Sequence, residues 1–157
     1  MGFALSDMQL TSPAFSDGER IPEIHTGEGE DVSPPLVWSS VPEGTESFAL
    51  ICHDPDAPLI SPGNYGFVHW VLYDLPGDLR ELPHGVSEYT CGINNFDKQA
   101  YGGPMPPPGH GEHRYFFWLL AMKSRPQLKA GLTMWQLLGL VEPEVTAMNR
   151  LMGTYSR

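Results

Sequence analysis

The chain has 157 residues, of which 41% are hydrophobic and 18% charged, with 16 Pro, 17 Gly and a formal net charge of −10. That length allows one domain with a sizeable core, so 1–157 is expected to form a single domain, and the apolar fraction excludes a disordered chain. A broadly negative surface repels a phosphate backbone, which excludes general nucleic-acid binding but leaves room for a local anion pocket.

Cys52 and Cys91 have no CxxC spacing and no accompanying Cys/His cluster, so neither a disulfide framework nor a structural zinc site is expected. No run of 18 or more apolar residues reads as a transmembrane helix. The N-terminus lacks the basic and long apolar regions of a secretion signal, so the expected location is cytoplasmic. Met1-Gly2-Phe3-Ala4-Leu5-Ser6 matches the literal myristoylation pattern, but Phe3, Leu5 and Leu10 read more simply as a first strand. Proline and glycine are scattered between apolar runs, which predicts many short elements joined by turns and a mainly β fold.

In chain order, residues 2–10 read as the opening strand, followed by turns at Ser12-Pro13, Ser16-Asp17-Gly18 and Ile21-Pro22. Gly27-Glu28-Gly29-Glu30-Asp31 reads as an exposed acidic loop without the ligand spacing of an EF-hand. Ser33-Pro34-Pro35 is extended by constraint and feeds a short strand with a buried Trp38. The apolar run 47–53 is a central strand covered on both faces, with Cys52 as a small hydrophobe inside it. It ends in His53-Asp54-Pro55-Asp56-Ala57-Pro58, where two prolines stiffen a segment carrying two carboxylates. Taken alone, that segment is a strand-terminating turn.

Ser61-Pro62-Gly63-Asn64-Tyr65-Gly66 reads as a loop, and 67–74 as an interior strand. Period two puts Phe67, His69, Val71 and Tyr73 on one face, and Val68, Trp70 and Leu72 on the other. Residues 75–103 read as irregular, and Pro106-Pro107-Pro108 as a rigid extended stretch. From His113 to Met122 a further strand places His113, Tyr115, Phe117, Leu119 and Ala121 on one face. Arg114 points the other way and reads as a structural partner for a carboxylate or a carbonyl. Thr133-Met134-Trp135-Gln136 is a capping box opening a helix that Pro143 interrupts. Val145, Met148, Leu151 and Met152 continue at helical spacing, and Gly153 reads as a helix stop.

Asp54 and Asp56 at one strand end, His69 within another strand, and His113 and Tyr115 at the start of a third thus converge between two proline-rich loops. At this point the chain resembles the phosphatidylethanolamine-binding proteins, also called Raf kinase inhibitor-like proteins, and most closely their bacterial and archaeal branch. The resemblance rests on Ser33-Pro34-Pro35-Leu36-Val37-Trp38, Asp54-Pro55-Asp56-Ala57-Pro58, Phe67-Val68-His69-Trp70 and Tyr101-Gly102-Gly103-Pro104 through Pro107-Pro108-Gly109. Gly111-Glu112-His113-Arg114-Tyr115 and Gly153-Thr154-Tyr155 complete it, so the pieces span nearly the whole chain in family order.

The resemblance implies a sandwich of two antiparallel sheets with short peripheral helices and a C-terminal helix. It also implies a compact anion pocket for phosphate-type headgroups, lined by Asp54, Asp56, Pro58, His69, Pro107, His113 and Tyr115. In that pocket His69 and His113 would donate to oxygens, Asp54 would orient an imidazole or accept from an ammonium, and Asp56 could instead cap its own loop. His53 drops out as a bystander. Gly27 and Met105 stand where bacterial relatives often carry Cys, Phe96 where Trp is common, and Pro143 within the expected C-terminal helix.

The function expected on this basis is non-catalytic binding of a small anionic or phosphorylated ligand, without a cofactor, by a protein that regulates or inhibits a kinase or protease. Bacterial relatives suggest a homodimer. The chain has no GxSxG elbow, Walker loop or HExxH motif. The alternative is a metal-dependent hydrolase with Asp54, Asp56, His69 and His113 as ligands, a reasonable oxygen and nitrogen set in which no pair has i,i+4 helical spacing. A third class is an inhibitor or scaffold acting through its surface.

Overall fold

The computed structural model describes residues 5–58 and 65–157. The myristoylation match at Met1-Gly2, the first residues of the expected opening strand and the 61–64 part of the expected loop lie outside the described residues.

The fold is mainly β. Strands β1 (Gln9–Thr11), β2 (Leu36–Ser39), β3 (Ser47–Asp54), β4 (Phe67–Pro76), β5 (Glu81–Leu82), β6 (Thr90–Cys91), β7 (His113–Met122) and β8 (Val145–Tyr155) form two antiparallel sheets. Their orders are β1-β2-β5 and β6-β4-β3-β7-β8. One helix, α1 (Met134–Val141), precedes β8, and 3-10 turns cover Glu23–His25 and Glu142–Glu144. Among the described residues no helix is long and apolar enough to cross a membrane.

The apolar runs become two cores on opposite faces of the larger sheet. On the inner face Phe48, Leu50, Cys52, Trp70, Leu72, Phe117 and Leu119 pack with Leu10, Leu36 and Trp38 of the smaller sheet. On the outer face Ala49, Ile51, Val71, Tyr73 and Leu120 lie under Met134, Leu137 and Val141 of α1. Burying each such large side chain contributes about 1.5–3 kcal/mol. The capping box of α1 forms as expected: Gln136 N donates to Thr133 Oγ1 at 3.1 Å and Thr133 N to Gln136 Oε1 at 3.0 Å.

Two expectations are corrected. The first concerns the chain after Pro143. It is the long strand β8, paired with β7 from His113–Tyr155 to Met122–Val145, and not a helix. Val145, Met148, Leu151 and Met152 fit a helical period, but Ala147, Leu151 and Tyr155 enter the inner core by strand alternation, while Met148 packs on the outer side. The deciding term is a tertiary ladder that local spacing does not reveal. Gly153, read as a helix stop, lies within β8, where a Cβ would stand 2.5 Å from Ile21 Cγ1. On the other edge of β8, backbone N–H groups of Ser6, Gly18 and Ile21 donate to the carbonyls of Met148, Met152 and Thr154, which partly covers that edge.

The second correction concerns β4. Trp70 pairs with Cys52 and Val68 with His53, so His69 is the extra residue of a β-bulge. The bulge reverses the alternation: Val68, Val71 and Tyr73 belong to the outer core, Trp70 and Leu72 to the inner one. Phe67 and His69 therefore do not share a face with Val71 and Tyr73. A bulge re-aims a side chain, and here it turns His69 toward Tyr115, with ring centroids 5.2 Å apart.

Candidate functional site

The ends of β3, β4 and β7 meet at a cavity of about 220 Å³. Asp54, Pro58, His69, Pro107, His113 and Tyr115 line it, together with Ala57, Phe67, Phe96, Met105 and Pro106. Six of the seven expected pocket residues are thereby brought together. Asp56 is not among the lining. Its carboxylate takes Arg114 Nε at 2.9 Å, Nη2 at 2.8 Å and the Arg114 backbone N–H at 2.9 Å. These bonds from Arg114 hold the Asp56 carboxyl below its ordinary pKa range. Asp56 and Arg114 thus lash the 54–58 segment to β7, and the structural role expected for Arg114 is the observed one.

Asp54 organises the centre. Its Oδ1 accepts the Asp56 N–H at 2.8 Å, closing the turn that Pro55 stiffens, and its Oδ2 accepts from His113 Nδ1 at 2.7 Å. Both side chains of the latter pair are only 3% exposed. Burial raises the Asp54 pKa, and the bonds from His113 and Asp56 oppose that rise. The second nitrogen of His113, Nε2, is 2.6 Å from His110 Nδ1.

His69 is locked differently. Its Nδ1 donates to Gly102 O at 2.7 Å, and its own carbonyl accepts the Gly102 N–H at 3.0 Å and Asn94 Nδ2 at 3.3 Å. A carbonyl only accepts, so the proton sits on Nδ1 and Nε2 of the neutral ring carries a lone pair. Burial lowers the His69 pKa to about 4. Neutral His69 is therefore an acceptor through Nε2, where the sequence led us to expect a donor to oxygens.

Tyr115 is fully buried, and its hydroxyl has no hydrogen-bond partner among the described residues. Phe67 and Phe96 flank His69 at centroid distances of 4.9 and 5.6 Å and complete an aromatic wall. Among the described residues no Lys or Arg lines the cavity.

Several supporting residues escaped the sequence reading. Asn94 is buried; its Oδ1 accepts from the backbone N–H of Phe96 and Lys98, and its amide donates to Ala100 O. It thereby shapes the loop that carries Gly102 to His69. Asp31, in the segment read as an exposed acidic loop, has a φ of 60° and accepts the Gly103 N–H at 2.7 Å, anchoring the root of the proline loop. Buried asparagines inside polar, turn-prone stretches are the signal that could have found the first. Nothing local marks the second.

The four-residue metal set does not converge, since Asp56 is bound to Arg114. Among the described residues no group of three or more His, Cys, Asp or Glu is placed to hold a metal ion. A larger cavity of about 490 Å³ opens between α1 and the outer sheet face, but among the described residues His53 and Glu142 are its only polar side chains apart from the indoles. His53 there bonds Tyr65 O at 2.8 Å, away from the pocket chemistry.

The comparisons with known proteins agree with this fold. Residues 11–156 match the family model described as phosphatidylethanolamine-binding protein. A UPF0098 protein of Methanothermobacter thermautotrophicus is 38% identical over 157 residues, covering 96% of this chain and 99% of its own length. The crystal structure of a putative phosphatidylethanolamine-binding protein homologue, CT736 from Chlamydia trachomatis, superposes with a TM-score of 0.89 at 36% identity, covering 96% of this chain and 97% of that one. Escherichia coli YbcL, described as a member of the mammalian PEBP family, gives 0.87 at 29% identity over 97% and 99% of the two chains.

Proposed function

The chain belongs to the phosphatidylethanolamine-binding protein family, and from that premise we propose that it binds a small phosphate-type oxyanion in the cavity between Asp54, His69, His113 and Tyr115. The observation that supports this most is that Tyr115, a residue of the cavity wall, carries a buried hydroxyl without a partner among the described residues. An unsatisfied buried hydroxyl costs about 1–3 kcal/mol, a cost that a ligand oxygen at the wall would remove. His113, oriented by Asp54, supplies the neighbouring polar atom.

The volume, about 220 Å³, lies below the roughly 300–1,000 Å³ of drug-sized sites and suits a headgroup rather than a whole lipid. Among the described residues no Ser, Thr or Cys lines the wall, which favours binding over a nucleophilic reaction. Asp54, the one carboxylate among the described lining residues, is buried and already accepts from His113 and the Asp56 N–H, which leaves it poorly placed to receive an ammonium. Recognition therefore falls on the phosphate, and a protein target enters this reading through a phosphorylated side chain.

An NMR titration with inorganic phosphate, phosphoethanolamine and phosphotyrosine tests the reading. Shifts at His69, His113 and Tyr115 are expected at millimolar ligand. The aromatic faces offer an ammonium about 0.5–1 kcal/mol, so phosphoethanolamine should bind within about fivefold of inorganic phosphate. No shift at those three residues with any probe would end the proposal.

A further inference from the structure

His110 stands outside the expected site, yet it makes the closest contact to the pocket's central imidazole. Its ring meets His113 edge-on, with centroids 4.9 Å apart and Nδ1 2.6 Å from His113 Nε2. His113 is buried and its Nδ1 proton is committed to Asp54, so Nε2 is the one polar atom it can offer a ligand. That atom is occupied by His110.

The loop around His110 suits an exchange. Gly109 and Gly111 on either side have φ values of 73° and 94°, in the left-handed region where glycine moves at little steric cost. His110 is itself exposed. The chain before it is fixed by the triple proline, by His110 N to Pro107 O at 3.1 Å and by Gly109 N to Arg157 O at 3.1 Å. The imidazole can therefore leave while the wall of the cavity stays in place.

Proton counting gives the exchange a direction. One proton lies between His110 Nδ1 and His113 Nε2. When both rings are neutral, His110 supplies it and His113 accepts. A fully deprotonated oxyanion such as sulfate is acceptor-only, like Nε2 itself, so it can replace His110 only if His113 carries a proton on Nε2 as well as on Nδ1. A protonated phosphate, by contrast, can also donate its own hydroxyl. The other groups facing this pair are Asp54 from β3, neutral His69 from β4, Tyr115 from β7, Asp56 held by Arg114, Glu112 of the same loop and Arg157 behind it. None is a Lys or Arg on the cavity wall, so the positive charge that meets the anion must be an imidazolium.

We infer that His110 sets the affinity and pH range of the pocket: it holds His113 Nε2, an incoming oxyanion oxygen takes its place, and one solvent proton is taken up as His113 becomes doubly protonated between Asp54 and the anion. This rests on the oxyanion reading above. The exchange costs the anion one protein hydrogen bond, and it makes binding weaken as pH rises.

The test uses the intact chain with inorganic sulfate, which does not titrate near neutral pH, and inorganic phosphate as probes. Calorimetry at pH 8 in two buffers of different ionisation enthalpy should show uptake of about one proton per sulfate bound. His110→Ala should bind both anions about two- to tenfold more tightly, the worth of one hydrogen bond. His110→Asn, whose amide can still donate to Nε2, should fall between. The ¹⁵N shift of His113 Nε2, measured without added anion, should move in His110→Ala and verifies the contact in folded protein. An affinity unchanged or weakened in His110→Ala, or sulfate binding without proton uptake, overturns the inference while leaving the pocket reading intact. A wild-type protein that binds neither anion overturns both.

Discussion

Replacing Asp54 by Ala should cost about 3–5 kcal/mol of folding stability and remove anion binding. Asp54 is buried, and its carboxylate serves two donors, His113 Nδ1 and the Asp56 N–H. Removing the carboxylate leaves two donors unsatisfied, the His113 and Asp56 N–H groups, at about 1–3 kcal/mol each. The turn at 54–58 also loses its closing bond, although Arg114 still holds Asp56 from outside. Asp54→Asn separates the two effects. Its carbonyl oxygen can keep the Asp56 N–H, which presents an NH₂ to His113 and forces the imidazole into the opposite tautomer. The expected result is a smaller loss of stability, read from the urea midpoint, with the proton moved from Nδ1 to Nε2 in ¹⁵N spectra. An Ala variant as stable as the wild type would show that the pair does not hold these strands together.

The second large effect is the acid dependence set by His69. Its folded pKa, about 4, lies below the 6.5 of an unperturbed imidazole because burial excludes the charged form. Between those values the unfolded chain binds a proton that the folded chain does not. Stability therefore falls as pH drops through 6.5 and levels off below 4, with a total loss of about 3 kcal/mol from this residue. His25, also lowered by burial, acts in the same direction. Asp54, whose pKa is raised, acts oppositely, adding stability as pH falls through the carboxylate range. Asp56 and Glu28, both lowered, withdraw stability at still lower pH. The isolating comparison is with His69→Asn, whose amide can still donate to Gly102 O. Its stability should change about 3 kcal/mol less than that of the wild type between pH 6.5 and 4, whatever its absolute stability. Parallel pH profiles would mean that His69 accepts a proton in the folded protein.

Much of the architecture could be read before any coordinates. Apolar runs located β3, β4 and β7, the capping box located α1, and period two put His113 and Tyr115 on one face of β7. Those features depend on local spacing and on burial of whole faces. What escaped depends on pairing. Residues 145–155 satisfy a helical period as well as a strand period, and only the ladder with β7 selects the strand. The bulge at His69 exists because β4 runs one residue ahead of β3, a relation between two strands. The protonation of the site was hidden for the same reason. Which nitrogen of His69 carries its proton follows from Gly102, 33 positions later in the chain. His110 stood in a glycine-flanked stretch that suggested flexibility, without indicating that its ring reaches His113.

The Tyr115 hydroxyl tests the central claim most directly, because stability and binding should move in opposite directions. Tyr115→Phe removes a buried hydroxyl that lacks a partner among the described residues, and should raise folding stability by about 1 kcal/mol. The same change removes one hydrogen bond to a charged ligand, worth about 1.5–3 kcal/mol, so inorganic phosphate should bind at least roughly tenfold more weakly. A more stable variant that binds phosphate poorly is the predicted result. A variant that keeps wild-type phosphate affinity, or one destabilised by loss of the hydroxyl, would contradict the assignment of this cavity as an oxyanion site.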